Sequence, residues 1–244
     1  MIEAEKIAKN WERHVAIAEK FIQGERKQQV LDMLSILEDQ MVLAPASGKS
    51  HFHNAFPGGY VDHVNRVVQC ALKTKTLWEE MGADINFTEE ELVFSALFHD
   101  LGKIGDGEKE GYIRQTDEWR QNKLNEQYTA NKELPFMLIQ DRSLYILQKF
   151  GIQLTHNEYL AIRLHDGIYD EANKAYFVSF NPDSKFKTNI VNILHQADYL
   201  ASKVEYDTWY KNQDSTVEKV VKKTSKGPKK LKGSKGLTNL VKNL

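Results

Sequence analysis

Apolar side chains recur along most of the chain at steps of three and four residues. That spacing puts them on one face of an α-helix, so it predicts amphipathic helices with a buried stripe. Two such stripes open the chain, formed by Ile7, Trp11, Val15 and Ala18 and by Val30, Met33, Leu34 and Leu37. Strand-like segments are scarce, and only residues 175–180 (AYFVSF) have the composition of a short strand or hairpin. The pattern therefore predicts an all-α fold, a helical bundle with at most a short hairpin.

Polar residues mark where several of these helices begin. Thr88 is followed by three glutamates, which favours a helix from there to Leu101. Thr155 has Glu158 three residues later, the pattern of a capping box, and predicts a helix to about His165. Further helices are predicted over residues 60–81, 141–150 and 186–210.

The chain shows no repeat of fixed period, and no Pro/Gly-rich linker divides its first 210 residues. We therefore predict a single domain over residues 1–217. Two polar, glycine-containing loops interrupt it, at residues 44–59 and 102–116. Residues 224–236 have little apolar surface to bury, so residues 218–244 are expected to form a flexible, lysine-rich tail.

Charge is divided unevenly between these two parts. The chain has 33 basic and 34 acidic side chains and a formal net charge of -1. Residues 218–244 contain nine lysines and one acid, so residues 1–217 carry 24 basic and 33 acidic side chains. An acidic body disfavours a broad groove for a polyanion, whereas the tail could make weak contacts with nucleic acid.

The remaining composition suggests where the protein works. Cys70 is the single cysteine and lies in an apolar run, so a buried small side chain is expected there and an internal disulfide is excluded. No run approaches the roughly 18 apolar residues of a membrane span, and the charged N-terminus does not resemble a signal peptide. We expect a cytoplasmic protein without a membrane partner; the sequence does not indicate an oligomeric state.

A histidine and an aspartate arrive together at the end of the most apolar predicted helix. His99 and Asp100 follow the run LVFSALF and precede a turn through Gly102. Imidazole and carboxylate are metal ligands, and neighbours on a helix can reach one ion or bridge two. For this pair alone, a histidine hydrogen-bonded within the core is an equally good interpretation.

Other segments offer the same side-chain types near apolar helix positions. His63 begins a helix after two glycines, and Asp198 lies in an otherwise apolar helix where a buried carboxylate would need a cation or a hydrogen-bond partner. His195 precedes Asp198 by three residues and is expected on the same helical face. A histidine, a His-Asp pair and a late aspartate on separate helices together predict a metal site.

The order His63, His99-Asp100, Asp198 resembles the H…HD…D motif of the HD superfamily of metal-dependent phosphohydrolases. HDLGK at 99–103 is similar to the commonest central motif of that family. HFHNAFPGGYVDH at 51–63 resembles the HHAYxGGLLxH stretch of HD modules in bacterial 3′-to-5′ exoribonucleases and conjugative relaxases, and LHQADYLASK resembles their closing LHxxDxLxxK. The chain departs from the first stretch at Asn54 and Tyr60. The resemblance covers residues 51–203.

The resemblance implies an HD-type helical domain and a set of ligands for one or two divalent ions. It implies that Asp100 can bridge two ions and orient the attacking water. His165 and His195 are further candidates, with a core or supporting histidine as the alternative for each. His51 and His53 could approach from the loop, and Asp166 is interpreted as a helix-end or supporting carboxylate. The predicted ligands are His63, His99, Asp100, His165, His195 and Asp198.

Such ligands suit Mn²⁺, Fe²⁺, Co²⁺, Ni²⁺ or Zn²⁺, and Mg²⁺ where carboxylates and water dominate. A bound ion makes water a better nucleophile and takes charge on phosphoryl oxygens. Lys103 is expected to meet a substrate phosphate and to take part in catalysis. Arg66, one turn after His63, is a second phosphate-binding candidate, with a structural salt bridge as its alternative.

These residues predict a metal-dependent phosphohydrolase that acts on a phosphoester bond of a nucleotide or short oligonucleotide. The alternatives are a 3′-to-5′ single-strand exonuclease, a non-catalytic nucleotide-binding regulatory module, and a nucleic-acid adaptor whose metal is structural. Di-iron oxygenases of the superfamily have an overlapping residue set, but HDLGK is nearer to the hydrolases.

Overall fold

Nine helices and one two-stranded hairpin make up the part of the chain that the structure describes. A computed structural model describes residues 3–224, with side chains as far as residue 212. The elements are α1 (Ala4–Phe21), α2 (Gly24–Leu43), α3 (Gly59–Glu80), α4 (Glu89–Phe98), β1 (Tyr112–Arg114), α5 (Glu118–Leu124), β2 (Tyr128–Ala130), α6 (Ile139–Lys149), α7 (His156–Leu164), α8 (Lys174–Phe177) and α9 (Ile190–Thr224). The described part of the chain is 65% helical, which confirms the predicted all-α class with a short hairpin.

Helix α4 is the centre of the core. All of its residues from Leu92 to Phe98 are buried, because the helix is apolar on every side. It packs against α3 on one side and α7 on the other, while α1 packs against α2 and α3. Truncating the fully buried Phe98 to alanine would cost ~3–5 kcal/mol. This rigid central helix ends directly before His99.

Both predicted helix starts have the capping geometry that their sequences indicate. Thr88 accepts from the backbone N–H of Glu91, and the Glu91 side chain accepts from the Thr88 backbone N–H. Thr155 and Glu158 form the same reciprocal pair at the start of α7. These capping boxes satisfy backbone donors that a helix leaves unpaired, so the helix starts are confirmed.

The predicted strand at residues 175–180 is wrong. Lys174–Phe177 form the short helix α8, and the rings of Tyr176 and Phe177 pack on Phe186 instead of joining a sheet. The hairpin lies elsewhere, where β1 and β2 pair antiparallel with Tyr112 opposite Ala130 and Arg114 opposite Tyr128. Strand propensity alone could not identify it, since a strand needs a partner as well as suitable residues.

The last helix also differs from its prediction. It begins at Ile190, four residues later than expected, and continues to Thr224. Backbone contacts divide the chain into two units, Met1–Trp209 and Tyr210–Leu244, and the candidate site lies in the first. The predicted disordered segment lies outside the described residues from position 225 onward. Along the described chain, no helix is long and apolar enough to cross a membrane.

Candidate metal centre

The His-Asp pair is delivered by the end of α4 and the tight turn that follows. The turn, Leu101–Ile104, brings the backbone close to α6, and a Cβ on Gly102 would lie 2.2 Å from the Ile139 carbonyl oxygen. The Ser143 hydroxyl accepts from the Gly102 N–H at 2.8 Å and donates to the His99 carbonyl at 3.0 Å. This clamp fixes the backbone from which His99 and Asp100 project.

Two of the predicted ligand histidines are oriented by their own helices. His99 Nδ1 lies 2.8 Å from the Ala96 carbonyl oxygen, and His165 Nδ1 lies 2.8 Å from the Ile162 carbonyl oxygen. A carbonyl only accepts, so each Nδ1 carries a proton and donates it. Nε2 is therefore the atom that carries the lone pair whenever the ring is neutral, and the neutral ring is the form in which histidine binds a metal.

His63 is oriented in the same way by a carboxylate that the sequence analysis missed. Its Nδ1 lies 3.1 Å from an oxygen of Glu205, which is buried on α9. Arg66 donates from Nε to the other Glu205 oxygen at 3.1 Å. A carboxylate behind a ligand histidine is the usual second layer of a metal site. Arg66 therefore forms a salt bridge with Glu205, which is the alternative to phosphate binding that the sequence left open.

The ligand atoms of the predicted residues converge. His63 Nε2 lies 3.1 Å from Asp198 and 3.6 Å from Asp100. One Asp100 oxygen lies 3.4 Å from His99 Nε2, and the other lies 3.6 Å from His165 Nε2. Two groups that could hold an ion, each with its atoms within 4.8 Å, are His63, His99 and Asp198, and His99, Asp100 and His165. Asp100 therefore has one oxygen toward each side of the cluster.

The donor set fits a divalent cation. Both His63 Nε2 and His99 Nε2 are buried without a hydrogen bond to any described residue. Although Asp198 lies near His63 Nε2, their geometry is not that of a hydrogen bond. A buried polar atom left unpaired costs about 1–3 kcal/mol. Coordination of a cation would satisfy both nitrogens, and mixed imidazole and carboxylate donors suit first-row metals.

Charge at the cluster favours the same ligand. Burial raises the pKa of the Asp198 carboxyl, but the adjacent His63 ring outweighs burial, and the pKa falls below its ordinary value. Burial lowers the pKa of His165, but Asp166 and Asp100 outweigh it and raise the pKa to about 9. The Asp198 carboxylate is therefore ionised at neutral pH, and an ionised carboxylate in a buried place is stabilised by a cation beside it.

The cluster opens into a cavity of about 440 Å³, which we call the metal cavity. Lys103 lines it, with Nζ 2.5 Å from Asp100 Oδ2 and 3.5 Å from His53 Nε2. His53 and His51 both line it as well, and the His53 ring centroid lies 4.6 Å from that of His63. Arg66 does not line this cavity.

His195 is the predicted ligand that the structure does not bring into these groups. Its Nδ1 lies 2.6 Å from the His165 carbonyl oxygen, and its ring packs on Gly167. Three residues along a helix correspond to a rotation of about 300°, so His195 points about 60° away from Asp198. That difference turns the ring toward the backbone behind His165.

Asp166 and Glu205 have larger roles than their sequence positions suggested. The Asp166 carboxylate lies 3.6 Å from His165 Nε2 and forms a third candidate ion-binding group with His165 and Asp198. Glu205 continues the buried stripe of Ala197 and Ala201 at four-residue steps. An acid at the next position of a buried stripe was the signal that could have identified it.

Asn54, one of the positions at which the chain differs from the HHAYxGGLLxH stretch, has a local structural role. Asn54 adopts a positive φ of 39°, which asparagine tolerates better than most residues. Its side chain donates to Asp62 at 3.1 Å, and its carbonyl accepts from the Ala46 N–H. Asn54 therefore shapes the loop that carries His53.

Comparison of the chain with models of known protein families, with curated protein sequences and with solved structures found no match in any of the three.

Proposed function

We propose that the protein is a metal-dependent phosphohydrolase that cleaves a phosphoester bond of a nucleotide or short oligonucleotide. The observation that carries the proposal is the convergence of three histidine Nε2 atoms with Asp100 and Asp198 at a cavity that also holds the Lys103 ammonium. The resemblance of HDLGK and the flanking motifs to HD phosphohydrolases supports it independently. Cation ligands beside a fixed positive charge form a site suited to phosphate.

The candidate groups indicate which residues would hold the metal. His63, His99 and Asp198 form one group and His99, Asp100 and His165 another, with Asp166 beside His165. One or two divalent ions held there would provide an electrophile for phosphoryl oxygens and lower the pKa of water. Glu205 behind His63 and the backbone carbonyls behind His99 and His165 keep the three Nε2 atoms directed at Asp100.

Lys103 and Asp100 are the residues that we expect to contact the reacting group. The Lys103 side chain is 13% exposed and its ammonium reaches the cavity, where it can neutralise charge on a phosphoryl oxygen. Its present partner, Asp100, is a candidate metal ligand. Binding of a cation by Asp100 would therefore leave the Lys103 ammonium available for the substrate phosphate.

The cavity and the charge favour a small substrate. A volume of about 440 Å³ lies in the range of sites for small molecules. The excess of acids in residues 1–217 disfavours a long polyanion, because repulsion of phosphates opposes binding outside the cation site. A mononucleotide or the end of a short strand fits both conditions.

The proposal is tested with purified protein supplied with Mn²⁺ or Mg²⁺ and a panel of nucleotides, cyclic nucleotides and labelled short strands. We expect metal-dependent release of the product of phosphoester cleavage. In His99→Gln, kcat/KM should fall by at least about 100-fold. His156→Gln changes an exposed histidine on α7 and is expected to match the unaltered protein. No product from any substrate, or equal activity of His99→Gln, would overturn the proposal.

A further inference from the structure

A second cavity adjoins the metal cavity. It has a volume of about 400 Å³ and is lined by Tyr112 and Tyr128 of the hairpin. Phe52, His53 and Lys103 line both this cavity and the metal cavity. We call the second one the aromatic cavity. A ligand that reaches from one cavity to the other must pass these three shared residues.

The wall of the aromatic cavity is built by backbone bonds between two distant segments. The Gly48 carbonyl accepts from the N–H groups of Gln127 and Tyr128 at 2.8 and 3.0 Å, and Ser50 donates to the Asn125 carbonyl at 2.9 Å. A Cβ on Gly48 would lie 2.7 Å from the Tyr128 carbonyl oxygen, so the approach requires glycine. The loop and the hairpin therefore form one preformed surface.

The hairpin register places its two tyrosines on one face. Tyr112 lies opposite Ala130, and Tyr128 lies opposite Arg114, two residues after Tyr112. Alternate strand residues share a face, so both rings lie on the side toward the cavity and Ile113 lies on the other. Both tyrosines are half-buried. Each thus leaves part of its ring available at the cavity surface.

Phe52 completes the aromatic lining from the loop. Its side chain is 53% exposed, although its ring packs edge-on against His51 at 4.7 Å and lies under the Lys49 ammonium. A partly exposed apolar ring at the boundary between two cavities has surface left to bury against a ligand. Aromatic side chains in such positions stack on planar rings, and nucleobases are the planar rings that accompany phosphate.

We propose that the aromatic cavity binds the base of a nucleoside phosphate whose phosphate lies at the metal centre. This inference rests on the proposed function and adds the site at which the base of the substrate binds. Lys103 lines both cavities, so an anionic group bound beside Lys103 in the metal cavity would lie next to the aromatic side chains of the second cavity. The nucleoside phosphate is either a free mononucleotide or the end of a single strand. A sugar phosphate without a base leaves the aromatic cavity unfilled and is the poorer substrate.

Steady-state kinetics of the full-length protein test this preference. The substrates are adenosine 5′-monophosphate, a five-nucleotide strand and ribose 5-phosphate, each with Mn²⁺. We expect kcat/KM to be at least about tenfold higher for one of the base-containing substrates than for ribose 5-phosphate, as loss of a base–aromatic stack predicts. The better of the two base-containing substrates identifies the source of the nucleoside phosphate.

Variants of the lining show whether the aromatic cavity causes the preference. Tyr128→Ala and Phe52→Ala should raise KM for the better nucleotide by about tenfold, with a smaller change in kcat. Tyr128→Phe keeps the ring and should keep the KM. Ile113→Ala alters the opposite face of the same hairpin and serves as the matched control, with thermal melts to verify that each variant folds.

A binding measurement separates failure of this inference from failure of the proposed function. Adenosine, which carries no phosphate, is titrated into metal-free protein and followed by ligand-observed NMR. Binding that Tyr128→Ala abolishes would support the base site even if no substrate were hydrolysed. Equal kcat/KM for the nucleotide and for ribose 5-phosphate would overturn the inference. It would also be overturned if Tyr128→Ala left both the KM and the binding of adenosine unchanged. In either case, metal-dependent hydrolysis would still support the proposal that the protein is a phosphohydrolase.

Discussion

Glu205→Gln tests whether the carboxylate behind His63 supports metal binding. Glu205 is buried, and its two oxygens accept from His63 Nδ1 and from Arg66 Nε, each at 3.1 Å. A glutamine has the same shape but one accepting oxygen, so it can satisfy only one of these donors. The substitution also removes the negative charge that makes His63 a stronger ligand.

The size of the effect follows from these contacts. A hydrogen bond to a charged group contributes about 1.5–3 kcal/mol, and one such bond is lost or weakened at His63. Outer carboxylates of metal sites change metal affinity by about 10–100-fold, which is about 1.4–2.7 kcal/mol and agrees with the loss of one bond. We therefore expect the Kd for Mn²⁺ to rise by about 10–100-fold in Glu205→Gln.

Isothermal titration of metal-free protein with Mn²⁺ measures this Kd. Asp207→Asn is the matched control, because it removes an exposed carboxylate two residues away on α9. Arg66→Ala should weaken metal binding in the unaltered protein and have little further effect in Glu205→Gln, since Arg66 acts through Glu205. The reasoning is refuted if Glu205→Gln binds Mn²⁺ as tightly as Asp207→Asn does.

Three further predictions concern stability and metal binding. Burial lowers the pKa of His14 from 6.5 to about 4 despite its hydrogen bond to an asparagine, so His14 takes up a proton more readily in the unfolded state. The free energy of unfolding should therefore fall by about 2–3 kcal/mol as pH falls from 7 to 4.5. Urea unfolding of His14→Gln should lack this loss. Gly167 has φ 58° and a Cβ there would lie 2.7 Å from the His195 ring, so Gly167→Ala should destabilise the protein by about 2 kcal/mol or more. Gly151 has φ 70° but open space around it, so Gly151→Ala should destabilise the protein less. Equal losses of stability in the two variants would contradict this reasoning. Mn²⁺ at about 100 times its Kd should stabilise the protein by about 2.7 kcal/mol in the same assay, and His99→Gln should abolish the gain.

The parts of the fold that sequence predicted well depend on local interactions. The starts of α4 and α7 follow from Thr88 and Thr155, because each capping box involves residues only three apart. The hairpin depends on pairing between Tyr112 and Ala130 across an intervening helix, and neither three-residue strand has enough alternation to reveal it. Residues 175–180 are richer in strand formers, yet they have no strand partner in the described structure.

The candidate site divides in the same way. His63, His99, Asp100 and Asp198 could be selected from polar positions in apolar helices, and the structure brings their side chains together. Glu205 escaped notice because its importance comes from His63, 142 residues away in the chain. His195 has a suitable spacing from Asp198, but a modest difference in angle around α9 directs it elsewhere. Spacing along a helix indicates a face only within about 60°, and a metal site requires finer placement.

Helix α9 carries both Asp198, at the candidate metal centre, and Glu205, which orients His63. They are seven residues apart, close to two full turns, so one straight helix sets both positions at once. Insertion or deletion of one residue between them would rotate one carboxylate by about 100° relative to the other. The length of this segment is therefore constrained more tightly than the identity of its exposed residues, and changes of length can be accommodated only outside the span from Asp198 to Glu205.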